Sequence, residues 1–159
     1  MRFVLREEIR DNVLMRIENR TARFNYEILE KFEVGIDLLG SEVKSVREGQ
    51  VSLNESFVHI RNGEMFLVNA HIHPYQHSAD KISPLRSRKL LMHKKEIISL
   101  ASRVNTNGLT LVPIAMYNKG NIFKLEVGIG KGKKKWDKRE AIKKKDMQRD
   151  IENDLRNKN

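Results

Sequence analysis

The stretch Phe24-Asn25-Tyr26-Glu27-Ile28-Leu29-Glu30-Lys31-Phe32-Glu33-Val34-Gly35-Ile36-Asp37-Leu38 decides the fold. Seven of its eight even positions are apolar or aromatic, while the odd positions carry Asn25, Glu27, Lys31, Glu33 and Asp37. A period of two sends alternate side chains to opposite faces, which predicts one long half-buried strand, bent at Gly35. Phe24 and Tyr26 fall on its apolar face, and Tyr26 reads as core. A strand of this length curls around a core, as in a small barrel.

Downstream, Leu39 to Gln50 sets Val43 and Val46 between Gly40 and Gly49, a short helix that Ser41 is placed to cap. Phe57–Ile60 and Met65–Val68 flank Arg61-Asn62-Gly63-Glu64, and Asn-Gly predicts a type I′ hairpin. His71 to Arg88 is rich in proline, serine and polar residues and reads as a long loop. Leu90 to Val104 reads as the longest helix of the folded part, with Ile97, Ala101 and Val104 on one face, ended by Asn107-Gly108. Leu109–Tyr117 and Asn121–Ile129 predict a last pair of strands, with an edge or bulge at Pro113. The pattern is mainly β with helices: an OB-like antiparallel β-barrel, a class that binds single strands or RNA through one face and its loops.

The chain has 159 residues and a net charge of +10, of which +6 lies in residues 131–159. The run Gly130-Lys131-Gly132-Lys133-Lys134-Lys135-Trp136-Asp137-Lys138-Arg139 is too densely charged to build a core. It suits a polyanion: the lysines displace counterions from phosphates, an aromatic stacks on a base, and Gly130 and Gly132 admit close backbone approach. A solubilising tail is the plain alternative. Only Ile142, Met147, Ile151 and Leu155 interrupt the polar tail, a stripe too thin for a membrane-surface helix. With so little apolar surface, the basic C-terminal tail is expected to be disordered when free.

Cysteine is absent, which excludes disulfides and thiol chemistry and suits a reducing cytoplasm. No apolar run approaches the roughly 20 residues that span a bilayer. His71, His73 and His77 lie close together but lack further ligands at metal spacing, so no metal or cofactor is expected. No nucleophile–base pair, phosphate-cradling glycine loop or zinc spacing appears, which argues against an enzyme.

Six segments share order and spacing with one family. They are Ala22–Tyr26, Phe32–Gly35, Gly40–Arg47, Arg88–His93, Gly130–Lys134 and Asp137–Arg139. In them the chain resembles the SsrA-binding proteins (small protein B), from about Asn19 to the C-terminus. The resemblance implies an OB-like barrel that binds the tRNA-like end of transfer-messenger RNA (tmRNA) and delivers it to stalled ribosomes for trans-translation. It also implies a tail that folds as a helix in the empty mRNA channel and so senses it. Small-subunit ribosomal RNA is then a second partner. Alanyl-tRNA synthetase and elongation factor Tu would meet the protein through the bound tmRNA, and the protein would act as a cytoplasmic monomer. The alternative is a general OB-fold, ribosome-associated RNA-binding protein.

The division is then residues 1–18 as an atypical N-terminal extension, 19–130 as the RNA-binding barrel and 131–159 as the tail. Glu33 matches an acidic RNA-contacting position of the family; the alternative is a solvated strand residue. Leu91 and His93 match the family's RNA-contacting segment, although Leu91 reads equally as core. Lys124, on the polar face of the last strand, suits a phosphate, and Arg86, Arg88 and Lys89 form a basic loop edge that is either RNA contact or structure. Phe24 stands where relatives often carry histidine, which leaves only stacking there. Lys131, Gly132, Lys133 and Lys134 continue the RNA-binding set. In the tail, Trp136 is expected to stack, Asp137 to cap the helix, and Lys138, Arg139 and Lys143 to meet ribosomal RNA. Ile142 and Met147 would pack on the channel wall. Residues 1–18 do not match the expected short basic leader, and Met15 is expected to be the native start.

Overall fold

The computed structural model describes residues 13–79 and 81–156. Along them run β1 (Val13–Glu18), α1 (Ala22–Asn25), β2 (Tyr26–Ile36), α2 (Gly40–Arg47), β3 (Val51–Ser52), β4 (Phe57–Arg61) and β5 (Glu64–Val68). Then come β6 (His71–Ile72), β7 (Arg88–Leu91), α3 (Lys94–Asn107), β8 (Thr110–Lys119), β9 (Ile122–Gly132) and α4 (Lys135–Arg156).

The period-two segment is β2, and its even residues Phe32, Val34 and Ile36 are buried in the core. Its deformation lies at Leu29 rather than Gly35. Ile28 pairs with Gly130 and Glu30 with Ile129, so Leu29 is an extra residue and stands 58% exposed. Phe24 is not on the strand but in α1, and it is exposed. The buried Asn19 explains this turn: its Oδ1 accepts hydrogen bonds from the Thr21 N–H (3.2 Å) and hydroxyl (2.8 Å), and its Nδ2 donates to the Pro113 carbonyl (2.9 Å).

Pairing runs from β8 through β4, β5, β7, β2 and β9 and back to β8, all antiparallel, a closed circuit of six strands. Closure satisfies the edges that an open sheet would leave. Met65, Leu67, Leu90, Met116, Leu125 and Val127 fill the interior from the strands, and Ile97 and Leu100 of α3 pack onto it. Asn62 and Gly63 both have positive φ (52° and 71°), as the type I′ hairpin requires. Pro113 sits at the bulge between β8 and β9.

Three further expectations are revised. α3 begins at Lys94, because Leu90 and Leu91 are held in β7 by pairing with Met65 and Gly35. Ser41 does not cap α2; the Glu42 carboxylate instead accepts the Leu39 N–H at 3.0 Å. The sheet takes in Val13–Glu18, so residues 13–18 belong with the barrel rather than with an extension. Pairing of β1 with the Ala115–Lys119 end of β8 satisfies its backbone. Residues 1–12 lie outside those described, and Met15 lies inside β1 with its N–H on Asn118 Oδ1 at 2.8 Å. The tail forms the helix α4. It contains no glycine or proline after Gly132, Glu140/Lys144 and Glu152/Arg156 stand four residues apart, and its start is anchored on α1.

Candidate nucleic-acid interface

Outward-facing positions of five strands form one row. Leu91 of β7 pairs with Gly35 of β2, Gly35 with Lys124 of β9, Lys124 with Tyr117 of β8, and Tyr117 with Arg16 of β1. Antiparallel partners share a face, so the row is continuous across the barrel wall. A Cβ at Gly35 would press on the Leu91 Cβ at 3.1 Å, closer than side chains ordinarily pack. Its bare backbone forms a shallow floor between an apolar side chain, 53% exposed, and a cation. A groove of about 390 Å³ runs past Leu91, between the Asn62–Glu64 turn and Lys94.

The next row sets Glu33 directly opposite Glu126. Lys124 Nζ lies 3.2 Å from Glu33, and the buried Tyr117 hydroxyl donates to the same carboxylate. Burial alone would raise the Glu33 carboxyl, but the Tyr117 hydroxyl and the Lys124 and Lys119 ammoniums outweigh it and hold it below its ordinary value. The Tyr117 hydroxyl is pushed up, by burial first and then by Glu33 and Glu126. Glu33 is thus a fixed, ionised acceptor beside a cation and an apolar surface. That set can accept from a base edge or 2′-hydroxyl, meet a phosphate and pack on a ribose or base.

The structure therefore brings Glu33, Leu91 and Lys124 together, with Lys89 and the exposed His93 at the margin. Lys89 is exposed and ion-paired with Glu64, a contact worth little in water. Arg88 is placed otherwise. It is fully buried, its Nε is 2.9 Å from Glu42, and it donates to the carbonyls of Ala70 (2.7 Å), Arg86 (3.0 Å) and Pro84 (3.0 Å). Its reading as an RNA contact is corrected: the guanidinium ties the long loop to α2. Arg86 spends its Nε on the same carboxylate at 2.9 Å and remains half-buried. Period two contained the signal, since Arg88 shares its face with the buried Leu90.

The lysine run lies at the far end of β9. Eight residues separate Lys124 from Gly132, about 26 Å of extended chain. A Cβ on Gly130 would meet the Glu27 carbonyl at 3.0 Å, so its close approach is to β2 and not to a partner, while Gly132 has open space. Lys131 and Lys134 are exposed. Lys133 donates through its N–H to the Asn25 carbonyl (2.9 Å) and through Nζ to the Arg23 carbonyl (2.8 Å), so it fastens the tail to α1. Asp137 accepts the Lys134 N–H at 3.1 Å, half of a capping box. Lys138 lies 6.0 Å over the Phe24 ring. Arg139, Lys143, Ile142 and Met147 are exposed along α4. The Trp136 side chain lies outside those described.

Sequence reading missed Tyr117, Arg16 and Glu126. The alternation of Lys124 with Glu126 marked only the last of these as outward. Among the described residues no helix is long and apolar enough to cross a membrane, and no group of three or more His, Asp or Glu is arranged to hold a metal ion.

A family model described as SmpB protein matches residues 16–157. An SsrA-binding protein of Microcystis aeruginosa is 52% identical over 143 residues, covering 89% of this chain and 93% of its own. One from Carboxydothermus hydrogenoformans is 54% identical over 140 residues, covering 87% and 94%. A chain from a solved structure described as "tmRNA-SmpB: a journey to the center of the bacterial ribosome" has a TM-score of 0.64 and 44% identity, covering 80% of this chain and 94% of that one.

Proposed function

The chain belongs to the SmpB protein family, and from that premise we propose that its β2–β7–β9 face binds the tRNA-like end of tmRNA in trans-translation, the rescue of stalled ribosomes. The observation that carries the reading is the row Leu91–Gly35–Lys124 with Glu33 beside it. An apolar side chain, an open backbone floor, a cation and a fixed carboxylate suit a structured RNA surface, where base edges and 2′-hydroxyls accompany phosphates.

The tail forms a second site. Its basic face meets small-subunit ribosomal RNA and its exposed apolar stripe packs on the wall of the vacant mRNA channel, so message and tail exclude each other. Separation along β9 supports this division of labour. The protein makes and breaks no bond. It acts in the cytoplasm as a monomer, and alanyl-tRNA synthetase and elongation factor Tu act on the RNA it holds.

The test is binding to the tRNA-like domain of tmRNA against unstructured RNA of equal length, at several salt concentrations. Selective binding that survives moderate salt is expected. Equal binding of both RNAs that collapses with salt would mean that only the basic tail acts, and would overturn the reading.

A further inference from the structure

Glu33 and Glu126 occupy opposed positions of β2 and β9. Two carboxylates so placed have Cβ atoms about 5 Å apart and repel. The Glu126 side chain is only 8% exposed, so its charge needs a partner. Arg16 supplies one, with a terminal nitrogen at 2.5 Å, and Lys31 a second at 3.3 Å. Arg16 arrives from β1 and also lies 5.5 Å over the ring of Tyr117, whose hydroxyl holds Glu33. The other terminal nitrogen of Arg16 is buried with no hydrogen-bond partner among the described residues. The guanidinium is therefore held by its charge partners and the ring rather than by full hydrogen bonding.

We propose that Arg16 is a positioning residue of the RNA face: it neutralises Glu126 and packs on Tyr117, leaving Glu33 ionised and directed at the RNA. The proposal rests on the reading of that face as the tmRNA site. The groups facing Glu126 are Arg16 and Glu18 from β1, Tyr117 from β8, Lys31 and Glu33 from β2, and Lys124 from its own strand. Lys119 adds its field at Glu33. Without Arg16, three carboxylates (Glu18, Glu33 and Glu126) face Lys31, Lys124 and Lys119, and of the ion pairs to Glu126 among the described residues only that with Lys31 is left. The negative charge that Arg16 balanced is left on Glu126, opposite Glu33, and repels an RNA phosphate on this face.

The experiment measures affinity of the full chain for the tRNA-like domain at pH 7.5, each variant as a ratio to the unaltered protein. Arg16→Met is expected to bind about tenfold more weakly at pH 7.5, the order for loss of one charge contribution at an interface. Arg16→Met/Glu126→Gln regains the original affinity because the unbalanced carboxylate is gone. Thermal melting fixes a temperature at which every variant is folded. Unchanged binding by Arg16→Met, or a loss that Glu126→Gln does not rescue, overturns the proposal and leaves Arg16 as strand support. Lys124→Glu in the same series separates the two failures: if it binds as the unaltered protein does, the face itself is misassigned.

Discussion

Replacing Arg88 by methionine separates a structural tie from an RNA contact. Arg88 is fully buried, and its removal strips a charge partner from Glu42, itself 4% exposed, and donors from the carbonyls of Ala70, Arg86 and Pro84. Breaking one side of such a buried pair costs about 3–5 kcal/mol; Arg86 still reaches Glu42, which favours the lower end. For a domain of this size, each kcal/mol lowers Tm by about 2–4 °C, which predicts a fall of about 6–20 °C. The assay is thermal unfolding by circular dichroism, followed by RNA titration across salt at a temperature where both proteins are folded. Affinity and salt dependence should match the unaltered protein, because a buried guanidinium displaces no counterion. A lost phosphate contact would instead reduce the slope of log K against log salt by about 0.7–0.9. An unchanged Tm with a reduced slope would refute the reasoning from burial.

Lys124→Glu removes the ammonium paired with Glu33 and adds a third carboxylate to Glu33 and Glu126; it should weaken tRNA-like RNA binding by about tenfold or more, as read by filter binding at a temperature where melting shows the variant folded. The Glu42 carboxyl is raised by burial, but Arg86, the Leu39 N–H and Arg88 outweigh that and lower it below the ordinary 4.5. Its contribution is therefore complete above about pH 4.5 and is lost as pH falls through the lower folded value. Glu42→Gln should flatten that part of the acid limb in urea unfolding against pH, and an identical limb in both proteins would contradict it. Leu125→Ala, at a fully buried site of β9, should cost about 2–5 kcal/mol in urea unfolding. Truncation from Gly132 onward should spare affinity for the tRNA-like domain and abolish tagging on stalled ribosomes; equal loss of both would join the two sites that β9 holds apart.

The barrel was legible where local pattern and long-range pairing agree. The alternation of β2 and the Asn62-Gly63 turn are local signals, and they appear where expected. Boundaries were less legible. Leu90 and Leu91 read as the start of a helix because apolar pairs fit both periods, and only pairing with Met65 and Gly35 holds them in a strand. Of the RNA-face residues, Glu33 and Lys124 could be placed outward by alternation. Arg88 was misplaced because a basic cluster was read by composition, although its spacing from Leu90 pointed inward.

By itself the sequence determined the class of fold and the family, and it marked the basic C-terminal stretch. These depend on periodicity, turn chemistry and charge density, which are carried by neighbours along the chain. Only the tertiary structure decided which charges are spent on partners within the fold. Arg88 and Glu42 are 46 residues apart, Tyr117 and Glu33 are 84 apart, and Arg16 and Glu126 are 110 apart. A charge is spent or available according to its partner in space, and that partner is set by strand register, which no local pattern contains.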